Sequence, residues 1–184
     1  MKDVLKISIY QPWKLFSEVL MYALKPIAYL YLQINGVEIG KGFKFYGLPT
    51  IFRTKGSKII IGENFENRNW WFSNPLGINH PLILCTWSNE AQIVIGDDVG
   101  VSGGSIVANT NITIGDRVLI GANSTIIDSD FHPTTGTNKR YSKENIKLKK
   151  VIIGNDSFIG MNSIILKGVK LNNNSIVPAG EVLR

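Results

Sequence analysis

Ile153-Gly154-Asn155-Asp156-Ser157-Phe158, Ile159-Gly160-Met161-Asn162-Ser163-Ile164, Ile165-Leu166-Lys167-Gly168-Val169-Lys170 and Leu171-Asn172-Asn173-Asn174-Ser175-Ile176, followed by Val177, repeat with a period of six. Aliphatic residues recur at 153, 159, 165, 171 and 177, with Ser157, Ser163, Val169 and Ser175 four places on. The same frame runs through Ile114, Ile120 and Ile126, through Ile95, Val101 and Val107, and through Ile39, Phe45 and Ile51. A helix would set apolar residues three and four apart, so this spacing excludes one. It predicts short strands joined by tight corners. Three hexapeptides make one triangular turn, and the turns stack about 4.8 Å apart by parallel pairing. No single turn buries its own interior, so stacking supplies the core.

Composition agrees. The chain has 184 residues, 44% of them hydrophobic and 18% charged. It holds 26 Ile, 18 Gly and 17 Asn, a mixture suited to strands and turns. Disordered and charge-rich coiled-coil classes are excluded. Cys85 is the single cysteine, so no intrachain disulfide forms, as suits a reducing, cytoplasmic setting. The net charge is +6. The basic run Lys139, Arg140, Lys143, Lys147, Lys149 and Lys150 lacks the pattern of a nucleic-acid motif, so no nucleic-acid partner is expected.

Residues 1–36 stand apart as an apolar segment, with a helix expected over 13–34 between Pro12 and Asn35-Gly36. Pro26 is expected to kink or break it. The helix either caps the domain or a neighbouring subunit, or lies on a membrane with Trp13, Tyr22, Tyr29 and Tyr31 at the headgroups. The coil is expected over 37–184. Its interruptions are an extruded loop at about 127–150 and an irregular stretch around 64–91 that contains Trp70, Trp71 and Trp87. Loops leaving a rigid scaffold are where function concentrates.

The position in frame after Ile126 is His132, within Asp128-Ser129-Asp130-Phe131-His132-Pro133. A histidine where the core pattern asks for an aliphatic residue, at the mouth of an extruded loop, breaks the local rule as functional sites do. The alternative is a loop histidine with one satisfied hydrogen bond. Asn74-Pro75-Leu76-Gly77-Ile78-Asn79-His80-Pro81 is a second turn, placed either to line a cleft beside a tryptophan or to cover the coil. Ser102-Gly103-Gly104 lacks the strand-turn-helix setting of a nucleotide fingerprint.

The hexapeptide frame, the Asp-Phe-His-Pro segment and the Ile-Gly-Asn-Asp-Ser-Phe-Ile-Gly run resemble the hexapeptide-repeat acyltransferases. More narrowly they resemble the sugar O-acetyltransferases of the galactoside and maltose group and their relatives in surface-polysaccharide biosynthesis, over roughly residues 37–184. The resemblance implies a left-handed parallel β-helix, a homotrimer with active sites between subunits, acetyl-CoA as donor and a glycan acceptor, with no metal. It implies that His132 is the general base, with Asp128, Asp130 or a backbone carbonyl holding its second ring nitrogen. It implies acetyl-CoA contacts at Gly160, Met161 and Ala179, and an acceptor contact at Asn109, where the family carries Asp. Asn79 and His80 are further acceptor candidates. The family's active-site asparagine has no counterpart in Val101-Ser102-Gly103-Gly104. The family also runs on past Pro-Ala-Gly into a tail that helps hold CoA, whereas this sequence ends at Arg184. Two rivals remain. A zinc hydratase on such a coil needs three histidines, and only His80 and His132 are present. The other rival is a non-catalytic scaffold or binding module.

Overall fold

The computed structural model describes residues 10–142 and 144–184. Lys143 of the basic run and residues 1–9 of the N-terminal segment lie outside them.

Among the described residues, eighteen short strands form three parallel six-stranded sheets, the faces of a left-handed β-helix. Sheet A holds β1 (Val37–Ile39), β4 (Lys58–Ile61), β7 (Gln92–Ile95), β10 (Asn111–Ile114), β13 (Val151–Ile153) and β16 (Lys170–Leu171). Sheet B holds β2 (Lys44–Tyr46), β5 (Glu66–Arg68), β8 (Gly100–Ser102), β11 (Leu119–Ile120), β14 (Phe158–Ile159) and β17 (Ile176–Val177). Sheet C holds β3 (Thr50–Arg53), β6 (Ile83–Thr86), β9 (Ser105–Ala108), β12 (Thr125–Ile127), β15 (Ile164–Ile165) and β18 (Val182–Leu183). Each rung therefore visits A, B and C in turn. Ile59, Ile93, Ile112 and Val151 stack down sheet A, each at most 1% exposed. Burying such a side chain is worth about 2 kcal/mol, and the column is continuous.

The Ile-Gly dipeptides are explained at the corner between sheets A and B. A Cβ on Gly62 would lie 2.6 Å from the carbonyl carbon of Gly96 in the next rung, and one on Gly40 would lie 2.7 Å from that of Gly62. The rungs approach too closely for a side chain. Side-chain oxygens bond the amides here: Asp97 Oδ1 accepts from Glu63 N–H at 2.7 Å, Asp116 Oδ1 from Asp97 N–H at 3.0 Å, and Asn155 Oδ1 from Asp116 N–H at 3.0 Å. The Asn and Asp content of the repeat thus bonds corner donors that no strand pairs.

One position of the six-residue frame is corrected. Ile106, not Val107, points inward, pairing in register with Leu84 and Ile126 while Val107 is half-buried outside. Gly103 (φ +58) and Gly104 (φ +86) make a corner one residue shorter than the others, a path open to glycine.

Helix α1 (Pro12–Ile34) lies across the first rung, with Ala28 and Leu32 packed into the core beside Val37, Phe43 and Phe45. It runs unbroken through Pro26, against expectation. Pro26 is exposed, so its ring points away from the coil, and the packing of Ala28 and Leu32 offsets the lost hydrogen bond.

Candidate active site

The prism has three edges, and the site residues fall on two of them. After β12 the chain leaves the core at the edge between sheets C and A, detours through residues 128–150, and re-enters as β13. Ser129 and Leu148 form an antiparallel bridge at the neck of this loop, flanked by Lys149 N–H to Asp128 O at 3.0 Å and Asp130 N–H to Lys147 O at 3.2 Å. Ile114 still pairs with Ile153 across the detour.

His132 is held out by a strained turn. Its N–H bonds to Asp130 O at 2.6 Å, and the residue between them, Phe131, has φ +59. A three-residue turn with a left-handed aromatic at its centre is rare and costs of order 1–3 kcal/mol. Ser129 Oγ accepts the Phe131 N–H at 2.9 Å, and the Phe131 ring meets Trp87 edge-on at 6.3 Å and 89°. The His132 side chain is exposed, with no hydrogen-bond partner among the described residues. It opens into a cleft of about 540 Å³ lined by Trp87, Asn109, Phe131, Arg140, Tyr141, Ser142 and Ile146. An exposed imidazole on a fixed backbone, walled by aromatics, is suited to taking a proton from a bound hydroxyl.

The two orienting candidates behave differently. Asp128 is fully buried and committed elsewhere: Oδ1 accepts from Asn109 N–H at 2.6 Å, and Oδ2 from Thr110 N–H at 2.7 Å and Thr110 Oγ at 2.8 Å. It positions Asn109, which shares the cleft with His132, and makes no bond to the imidazole. Asp130 pairs through Oδ1 with Lys167 Nζ at 2.5 Å, whereas its buried Oδ2 has no partner among the described residues.

Asn79, His80, Gly160, Met161 and Ala179 lie on the other edge, between sheets B and C, across the width of sheet C from His132. Asn79 N–H bonds to Asn123 Oδ1 at 2.8 Å, Asn123 Nδ2 to Gly77 O at 3.2 Å, and Asn74 Nδ2 to Ser102 Oγ at 2.9 Å. These bonds pin the 74–81 turn onto the coil. Trp70 and Trp71 stay on this edge with Phe72, at 5.3 and 5.4 Å. Trp87 alone of the three lines the His132 cleft. Gly160 is buried; its O accepts from Ser124 Oγ at 2.9 Å and its N–H bonds to Val177 O at 2.8 Å. Among the described residues, no acceptor meets the N–H of Met161 or of Ala179, two donors one rung apart. Also among the described residues, no three His, Cys, Asp or Glu side chains cluster.

The sequence reading named His132 and Asn109 but missed Phe131, Tyr141, Ser142 and Ile146. The three loop residues carry no periodic signal, and a left-handed phenylalanine is invisible in the sequence.

Comparison with known proteins agrees with this architecture. The family model "Hexapeptide repeat of succinyl-transferase" matches residues 111–129 and 150–184, the two arms around the detour. The galactoside O-acetyltransferase of Lactococcus lactis is 35% identical over 80 residues, covering 43% of this chain and 37% of the relative. The protein named "Putative acetyltransferase YvoF" of Bacillus subtilis is 32% identical over 72 residues, covering 39% of this chain and 36% of the relative. The matches thus span under two fifths of the length of these relatives. The chain carries the hexapeptide repeat of a transferase family, and over its matched part it resembles the hexapeptide-repeat sugar acetyltransferases.

Proposed function

We propose that this protein transfers an acetyl group from acetyl-CoA to a sugar hydroxyl, with His132 as general base and no covalent enzyme intermediate. The observation that carries the reading is the exposed His132 imidazole, presented by the strained Phe131 turn into a cleft with Trp87 and Asn109. His132 removes the hydroxyl proton as the sugar oxygen attacks the thioester carbonyl. The tetrahedral intermediate collapses by breaking the carbon–sulfur bond. The imidazolium returns the proton to the departing CoA thiolate, leaving ester, thiol and neutral histidine. Of the two carboxylates, Asp130, whose Oδ2 has no partner among the described residues, is the one left free to steady the second ring nitrogen, although no bond joins it to the imidazole in this structure. Trp87 offers a flat apolar face to a sugar ring, and Asn109 offers an amide.

The donor belongs on the B–C edge, where the Met161 and Ala179 amides are unpaired. Base and donor contacts lie on different edges of one prism, so a complete site needs a second copy, and a homotrimer supplies three. As part of the same proposal we place the protein in surface-polysaccharide biosynthesis, in the cytoplasm, with contact at the inner face of the membrane through residues 13–34.

The test combines purified full-length protein and acetyl-CoA with a panel of glycan acceptors, following free thiol. Acetyl transfer that falls by about 10²–10⁴ in His132→Ala, with the fold and a trimeric mass retained, supports the reading. Transfer unchanged in that variant, or no transfer to any acceptor, defeats it.

A further inference from the structure

On a helix at the surface of a solvated protein, charges face water. In α1 they do not. Glu18 accepts a hydrogen bond from the buried Tyr46 hydroxyl, the Lys25 ammonium sits 4.8 Å over the Phe43 ring, and Lys14 lines a cavity with Tyr46 and Arg68. The opposite face carries Phe16, Val19, Ile27, Leu30 and Ile34, each more than half exposed. With Ala23 and Pro26 they form an uncharged stripe along a helix about 35 Å long. By length and composition α1 would cross a membrane, but Ala28 and Leu32 anchor its inner side in the coil, so it is held flat.

Charge identifies what covers this stripe. Residues 1–58 hold nine Lys and Arg against three Asp and Glu, and residues 59–184 hold eleven against eleven. The whole net charge of +6 thus belongs to the part of the chain that bears α1. Two such ends repel one another, whereas an anionic lipid surface complements them.

The same surface leads to His132. A groove of about 580 Å³ along the C–A edge runs from Ile34 at the end of α1, past Phe52, Arg53 and Lys55, to Trp87. Trp87 is also a wall of the His132 cleft. His132 follows the fourth strand of sheet C, three rungs and about 15 Å from the first.

We propose that α1 lies in the headgroup region of an anionic bilayer, apolar stripe inward, and that the sugar reaching His132 is carried by an amphiphile in that bilayer. The second half rests on the acetyl-transfer reading above; the first does not.

The test floats full-length protein with vesicles of phosphatidylcholine, with or without 30% phosphatidylglycerol. Flotation with the anionic vesicles, lost in 0.5 M NaCl and reduced at least tenfold in the Phe16→Glu, Leu30→Glu double variant, supports docking. No flotation overturns it, as does an assembly larger than the trimer that this variant breaks, which would assign the stripe to a second copy. For any sugar found to accept acetyl, the methyl glycoside is compared with the dodecyl glycoside in anionic vesicles. A KM at least tenfold lower for the dodecyl form, abolished by the double variant while methyl-glycoside turnover is unchanged, supports a bilayer-borne acceptor. Equal KM values overturn it. If no sugar accepts, the acetyl-transfer reading fails while flotation still decides docking.

Discussion

Asp128 grips Thr110 twice, through the backbone N–H at 2.7 Å and the hydroxyl at 2.8 Å, with its other oxygen on the Asn109 amide at 2.6 Å. A fully buried carboxylate four residues before the proposed base, His132, invites the role of its orienter. Here it is instead the strut that sets the turn carrying Asn109. Asp128→Asn removes the charge from these bonds and turns an amide N–H toward a donor. A loss of about 2–4 kcal/mol in urea unfolding is expected, together with an increase in KM for the acceptor as Asn109 drifts.

Phe131 is predicted to serve presentation rather than stability. Phe131→Asn relieves a left-handed backbone, to which asparagine is better suited, and loses the edge contact with Trp87. These effects oppose each other at about 1 kcal/mol each. Thermal unfolding should stay within a few degrees of wild type while kcat falls at least tenfold, as measured by thiol release beside a melting curve.

Gly62→Ala tests the closeness of the rungs. A methyl group 2.6 Å from the Gly96 carbonyl carbon forces the rungs apart, and backbone on both sides cannot rotate away. A destabilisation of about 2–3 kcal/mol is expected in urea melts. Gly77→Ala serves as the contrast, since its Cβ would meet nothing within 4 Å; there only the cost of its φ of +80 should register, at about 1 kcal/mol.

Tyr46 gives an alkaline signature. Burial, and then the hydrogen bond to Glu18, raise its phenol well above the usual value of about 10. The folded protein therefore keeps this proton where the unfolded chain loses it. Its contribution is full below about pH 10 and is lost as pH rises above that, by up to about 1.4 kcal/mol per pH unit. Urea midpoints for wild type and Tyr46→Phe at pH 8 and 10.5 should show a smaller alkaline loss in the variant.

Much of the architecture was legible in the sequence because one residue in six must enter a narrow interior, and Ile153, Ile159 and Ile165 do so in phase. The frame slipped at Val107, since two glycines shorten a corner without changing the look of the repeat. Pro26 misled because a rule about isolated helices ignores a surface that holds both halves in line. His132 stood out as a break in the code, which by itself left an ordinary loop histidine equally open. The role of Asp128 was not legible, because spacing along the chain puts it beside His132 while the stacking of rungs puts it beneath Asn109. Trp70, Trp71 and Trp87 looked alike in the sequence, and only the path of the coil sends Trp87 to a different edge.

The pairing of Ile114 with Ile153 has a consequence for how such a protein diversifies. The ladder closes over the gap as though the 23 intervening residues were not there. Insertions or deletions beyond the Ser129–Leu148 neck, between Pro133 and Ile146, leave every rung untouched, whereas Asp128 at the base belongs to the bonding of the coil itself. The tip of the detour is thereby uncoupled from foldability and can be exchanged as a cassette on a chassis that does not register its length.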